Sequence, residues 1–199
     1  MNLFYLDDDL DKCAEYHIDK HVGKMQLEAA QLLTTALWVD KYIGYAPRKL
    51  TKEELDVIND VKRREPSIEH RQFTRYLPTH VSHPCAIWVR SSLEHFYWTI
   101  NYVNALNAET IYRGNKSHAS CDEVNRMPEP VNLPDKGWSK PALAMPDELK
   151  SDDVIASYRK FYMLDKWPFA SWKVRGKPDW WDDSLVEAQR DKGGRVSGR

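Results

Sequence analysis

No apolar run in this 199-residue chain approaches the roughly 20 residues that cross a bilayer, so no membrane span is expected. An excess of charge of one sign is also missing. Lys and Arg number 29 against 30 Asp and Glu, a formal net charge of −1. That balance excludes a generic polyanion binder and makes any phosphate site a local feature; duplex nucleic acid is not an expected partner. Cysteines are three, an odd number, and no CxxC occurs, which excludes both a zinc knuckle and a disulfide framework. A reducing cytosol is then the natural home. The opening MNLFYLDDDL turns acidic at once and has no basic n-region, so no signal peptide is expected. Phosphate-loop, Rossmann, nucleophile-elbow and kinase signatures are absent, as are HExxH and the Glu-x-x-His pair of di-iron bundles. No cofactor is therefore expected, and no internal repeat or low-complexity tract is present.

What the chain does have is a hydrophobic share of 42%, enough to form a core, and a surplus of large aromatics, eight Trp and ten Tyr. Such rings suit a core, a ligand wall or a homo-oligomer interface. Few β-branched alternating runs occur, so the fold class is mainly α: a single-domain helical bundle spanning 1–184, with 185–199 as a flexible C-terminal tail. Helices are expected at about 9–16 and 18–41. The next starts at Thr51, whose capping box closes with Glu54, and stops before Pro66. The longest helical stretch enters at Pro84 and stops at Gly114. SHASCDEVNRM reads as a short helix, and SDDVIASYRKFYMLDK as a capped one. Between them PEPVNLPDKGWSKPALAMPDELK, with five prolines, reads as a long ordered loop packed by Trp138, Leu143 and Met145.

HIDKHVGKMQLE raises the functional question. At about 100° per residue, His17, His21, Lys24, Glu28, Gln31 and Thr35 fall on one line of the helix. The apolar set Ile18, Val22, Met25, Ala29, Leu32 and Leu33 centres about 110° away. The charged stripe is thus a shoulder beside the core rather than its antipode, where pocket-lining residues sit; an ordinary solvated face with a Lys24–Glu28 pair gives the same letters. On the later stretch Arg90, Glu94, Tyr97, Asn101 and Asn104 repeat the spacing among mostly apolar neighbours, and Arg90 with Glu94 can satisfy each other. Loops add His83 before a helix start, and Arg113, Lys116 and His118 after a helix stop. Tyr158, Arg159 and Tyr162 come from SYRKFY, and Trp172, Lys173 and Arg175 from SWKVR. Each has a plain alternative as cap, core ring or surface charge.

A kit of His, Lys, Arg and Tyr with one or two Glu is suited to holding phosphates and moving protons around them. His17-x3-His21 with Glu28 is also metal-ligand spacing, but Lys24 between them opposes a cation, so no metal site is assigned.

Five blocks, DKHVGKMQLEAAQLL, HPCAIWVRSSLEHFYW, YRGNKSH, AMPDELK and SYRKFY, occur in that order over roughly residues 2–181. In them the chain resembles a widespread family of small bacteriophage proteins. The resemblance implies a phage origin and action in the cytoplasm of the infected host cell, and brings no catalytic assignment. Gly23 stands where that pattern leads one to expect a bulkier aliphatic residue.

The combined expectation is a protein that binds a small nucleotide-derived ligand, a cyclic dinucleotide or an ADP-ribose-type immune signal, and hydrolyses it without metal as a counter-defence. His21 and His118 are the expected acid/base pair, with Glu28 orienting Lys24 or a histidine. The expected ligand contacts are His17, Lys20, Lys24, His83, Arg90, Arg113, Lys116, Tyr158, Arg159, Tyr162, Trp172 and Lys173. The alternatives are a non-catalytic sponge for the same signals and a nucleotide or DNA base modification enzyme. A structural protein with salt-bridged surfaces would carry similar stripes.

Overall fold

Residues 3–6, Leu-Phe-Tyr-Leu, are all at most 3% exposed: the chain begins as an extended segment threaded into the core rather than lying on it. The computed structural model describes residues 1–64 and 73–191. Among them the secondary structure is helical, with no β-strand. Asp9 caps helix α1 (Leu10–Glu15) by accepting the Asp11 and Lys12 amides. Cys13 ties α1 to the extended segment through Phe4 O and the Leu6 amide.

Helix α2 (Asp19–Tyr42) and helix α5 (Leu93–Tyr112) form the central pair. From Thr34 to Asp40 every residue of α2 is buried, the polar Thr34, Thr35 and Asp40 included. Gly44, at φ +89°, lets the chain leave α2. Helix α3 (Lys52–Arg64) opens on the expected capping box: Glu54 Oε2 takes the Thr51 amide at 2.8 Å and Thr51 Oγ1 the Glu54 amide at 3.3 Å. The stop expected before Pro66 lies outside the described residues. Helix α6 is Ala119–Val124, and α7 (Val154–Phe161), capped by Asp153, continues through a π-turn at Tyr162–Lys166 and a 3-10 turn at Trp167–Phe169. One core draws on residues from Leu3 to Trp172, and a smaller cluster of Val39, Ala46, Leu50 and Ile58 sits under α3.

Three details differ from the sequence expectations. The stretch entered at Pro84 is two helices, α4 (Pro84–Val89) and α5. The break at Arg90–Ser92 is stabilised locally: Ser91 Oγ and His95 Nδ1 both reach the Trp88 carbonyl, and the Leu93 amide turns to Pro134 O. Arg90, at the break, is fully buried. Its guanidinium donates to the carbonyls of Ala46, Val81 and Arg48 at 2.8, 2.7 and 2.6 Å, and so binds three chain segments together. Arg90 is therefore a strut and not a ligand contact. The segment read as a tail begins as helix α8 (Asp183–Asp191), because Asp182 accepts the Ser184 and Leu185 amides; residues 192–199 lie outside the described residues.

The Pro-rich segment is an ordered loop, with Met145 9% exposed. Its anchor is buried Asp40, whose carboxylate takes the Val131 and Asn132 amides at 2.7 and 2.9 Å. No helix among the described residues is long and apolar enough to cross a membrane.

Candidate functional site

Helix α2 distributes the stripe residues to two sides. At about 100° per residue, His21, Lys24, Met25 and Glu28 share one side and Asp19, Val22 and Gly23 the other. Each side lines a cavity.

The first is a cavity of about 320 Å³ lined by His21, Lys24 and Glu28 of α2, His83, Lys166, and the apolar or backbone edges of Met1, Asn2, Phe4, Met25, Ala144 and Phe161. His21 is 2% exposed and clamped by aromatic rings. It stacks on Phe4, with centroids 4.9 Å apart and planes 19° apart, and meets Tyr162 and Phe169 edge-on. Its Nδ1 lies 2.8 Å from the Tyr162 hydroxyl. Tyr162 is fully buried, and burial pushes its phenol well above the usual range, so it keeps its proton; among the described residues its hydroxyl has no acceptor other than Nδ1, which assigns the donation to Tyr162. His21 Nε2 then carries the ring proton. Among the described residues it has no hydrogen-bond partner and is not sealed off, and His21 lines the cavity.

His83 has the same arrangement by a different route. It is the N-cap of α4, and its Nδ1 accepts the Cys85 amide at 3.2 Å, which again places the ring proton on Nε2. That bond also uses the amide an anion would need, so the anion site expected at this helix start does not form; the histidine itself is the site's donor. Burial pushes the His83 imidazole down to about 4 and that of His21 down to about 2, the latter helped by His17 and by Lys24, Lys166 and Lys20. Both rings are neutral at pH 7.

Among the described residues Glu28 is the only carboxylate lining this cavity. One oxygen takes the Asn2 amide at 2.9 Å, and the other lies 3.6 Å from Lys24 Nζ. Lys166 Nζ, paired with Asp165 at 2.6 Å, adds a second ammonium. With the Met1 α-ammonium, 3.9 Å from Glu28 Oε2, the described residues that line this small cavity carry two imidazoles, three ammonium groups and one carboxylate. The donors suit an oxyanion or phosphoryl oxygen, and the carboxylate suits a proton from water.

The second cavity, of about 650 Å³, is a polar cleft on the other side of α2. Lys20, Arg113, Lys116, His118 and Lys173 line it with Asp19, Gly23, Asn115 and flanking apolar residues. His118 therefore sits in a different cavity from His21, and the expected acid/base pair is not brought together. His118 is the N-cap of α6, with Nδ1 accepting the Ser120 amide at 3.2 Å, so it too offers Nε2–H. Arg113 lines the cleft, but each of its three nitrogens already donates within the protein, to Glu109, Asp19 and the Glu15 carbonyl at 2.6, 2.8 and 2.9 Å.

The other expected contacts are structural. His17 is fully buried, with Nδ1 2.7 Å from Cys13 O and Nε2 2.8 Å from the Tyr102 hydroxyl. Both nitrogens are engaged within the protein, so His17 neither touches a ligand nor chelates with His21. Tyr158 is fully buried, its hydroxyl held between Ala142 O and Asn2 Oδ1 at 2.6 and 2.9 Å. Arg159 binds Leu6 O and Asp7 and covers the rings of Tyr16 and Trp180. Trp172 donates Nε1 to Tyr16 O and packs on Trp181. Tyr162 acts on the site through His21.

Phe4, Phe169 and Lys166 were not foreseen. Lys166 belongs to a π-turn, and Phe4 and Phe169 to non-α-helical segments, where no helical periodicity marks a face. Among the described residues no group of three or more His, Cys, Asp or Glu side chains is placed to hold a metal ion. Comparison with protein-family models, curated proteins and solved structures finds no match to the chain.

Proposed function

We propose that the protein hydrolyses a small phosphate-bearing, nucleotide-derived ligand in the histidine cavity. The observation that carries this reading is that His21 and His83, each with its Nδ1 engaged by a protein partner, line one cavity with the Glu28 carboxylate. At about 320 Å³ the cavity suits a phosphoryl group and the sugar next to it rather than a whole dinucleotide. Lys24 and Lys166 offset the phosphate charge, and the two neutral imidazoles donate to the oxygens on which charge builds. Glu28 takes the proton of a water whose oxygen adds to phosphorus. The bridging P–O bond breaks, and the leaving oxygen receives that proton from the Glu28 carboxylic acid. The resemblance to phage proteins favours a nucleotide immune signal as the ligand, with removal of that signal in the infected cell as the biological outcome.

The test is incubation with a panel of nucleotides, cyclic dinucleotides and ADP-ribose derivatives, with and without EDTA, read by mass spectrometry and thermal shift. A product that forms in EDTA is the expected result. A thermal shift with intact ligand would instead establish a sponge, and neither shift nor product would end the nucleotide reading.

A further inference from the structure

The polar cleft across α2 has a charge imbalance that the fold does not use. The one acid that lines it among the described residues, Asp19, is saturated: Oδ1 takes Arg113 Nη1 at 2.8 Å, and Oδ2 takes the Ser171 hydroxyl and the Lys173 amide at 2.8 and 3.0 Å. The neighbouring Glu109 is saturated as well, holding Arg113 at 2.6 Å and Arg175 at 2.7 Å. Lys20, Lys116 and Lys173 therefore face the cleft, exposed, with no carboxylate partner among the described residues. Lys20 Nζ rests only over the Phe169 ring, 4.9 Å from its centroid. His118 adds its Nε2–H to the three ammonium groups.

Room for a ligand comes from Gly23. It lines the cleft without a side chain, and a Cβ there would stand 3.9 Å from His118 Cδ2. A larger aliphatic residue would fill the space beside the histidine. Three unpaired ammonium groups on one concave surface, in a chain whose net charge is −1, form a local anion site and not a generally basic face. Lysines act as point charges, without the planar fork that reads a single carboxylate, so several together suit several adjacent anionic oxygens.

We infer that this cleft is a second binding site, separate from the histidine cavity, for closely spaced phosphates such as the diphosphate of a small molecule. Among the described residues it contains no carboxylate free to act as base, so it binds without chemistry. The inference stands on the lysine cluster and not on hydrolysis in the other cavity.

The test is calorimetric titration of the full chain with inorganic pyrophosphate at low ionic strength, which involves no turnover. Saturable, salt-sensitive binding is expected, weakened at least about tenfold in the double variant K116E/K173E and retained in K52E, a charge change of the same sign at an exposed position of α3 outside both cavities. Gly23→Leu, which alters no charge, should also weaken it. Absence of saturable binding, or binding no weaker in K116E/K173E than in K52E, would overturn the assignment. A single-stranded oligonucleotide forms the second arm: binding tighter than pyrophosphate and lost in K116E/K173E would overturn the small-molecule assignment in favour of a nucleic-acid backbone.

Discussion

Between pH 6.5 and pH 4 the protein is expected to lose about 6 kcal/mol of folding stability, shared by two buried histidines. Burial pushes the His17 imidazole down to about 4, with Arg113 acting in the same direction. Burial pushes His21 lower still, to about 2, with His17 and the lysines around it adding to the effect. In the unfolded chain both titrate near 6.5. The sign follows from which state takes up the proton first. Above pH 6.5 both rings are neutral in both states, and stability is intact. As pH falls, the unfolded chain is protonated first and gains free energy. The loss from His17 levels off near pH 4 and that from His21 only near pH 2. By pH 4 each contributes about 3 kcal/mol, so together they consume much of the roughly 5–15 kcal/mol that keeps a domain folded. Glu109, held below the usual carboxylate range by Arg175 and Arg113, adds a loss of the same sign at more acid pH. Urea midpoints measured in steps from pH 7.5 to pH 4 should fall steeply below pH 6.5. A flat profile down to pH 5 would mean that these rings are charged or exposed.

Glu28→Gln is expected to lower turnover of the cleaved nucleotide by about a thousandfold, the middle of the range for loss of a positioned base. The fold should survive, because a glutamine oxygen can still accept the Asn2 amide that Glu28 holds at 2.9 Å. The affected quantity should be kcat rather than KM, since Lys24, Lys166 and both Nε2–H donors remain. His21→Gln separates the two roles. It keeps an N–H donor, and on the present account it retains more activity than Glu28→Gln. The opposite order, with Glu28→Gln fully active and His21→Gln dead, would make His21 the base and remove the proposed division of labour.

Much of the architecture was legible because it rests on local rules. The Thr51–Glu54 capping box, the stop at Gly114 and the periodicity of α2 each depend on residues within a few positions of one another. Four residues of the stripe, His17, His21, Lys24 and Glu28, share one line of the helix, and the last three line one cavity. His17, the first, is sealed by Tyr102, which comes from 85 residues further along the chain. Spacing alone cannot tell a core histidine from a cavity histidine when the deciding partner is that distant. The same limit applies to Arg90. Its helical spacing suggested a polar stripe, yet its partners are three carbonyls on other segments, and the helix breaks where it turns to reach them. The spacing puts His83 before a helix start and His118 after a helix stop, and in the fold each is the N-cap of a short helix. Only the fold shows that His83 joins His21 while His118 lies across α2. Gly23, noted as too small for its position, lines the cleft beside His118.

The central claim is that His21 and His83 enter the cavity as neutral Nε2–H donors, which leaves Glu28 as its base. A nitrogen-resolved NMR spectrum of the histidine rings at pH 6 tests it most directly, since an ordinary histidine is largely charged there. The account predicts both rings neutral, with the proton on Nε2 in each. An imidazolium signal, or a proton on Nδ1 with a free lone pair on Nε2, would contradict it and return the role of base to a histidine.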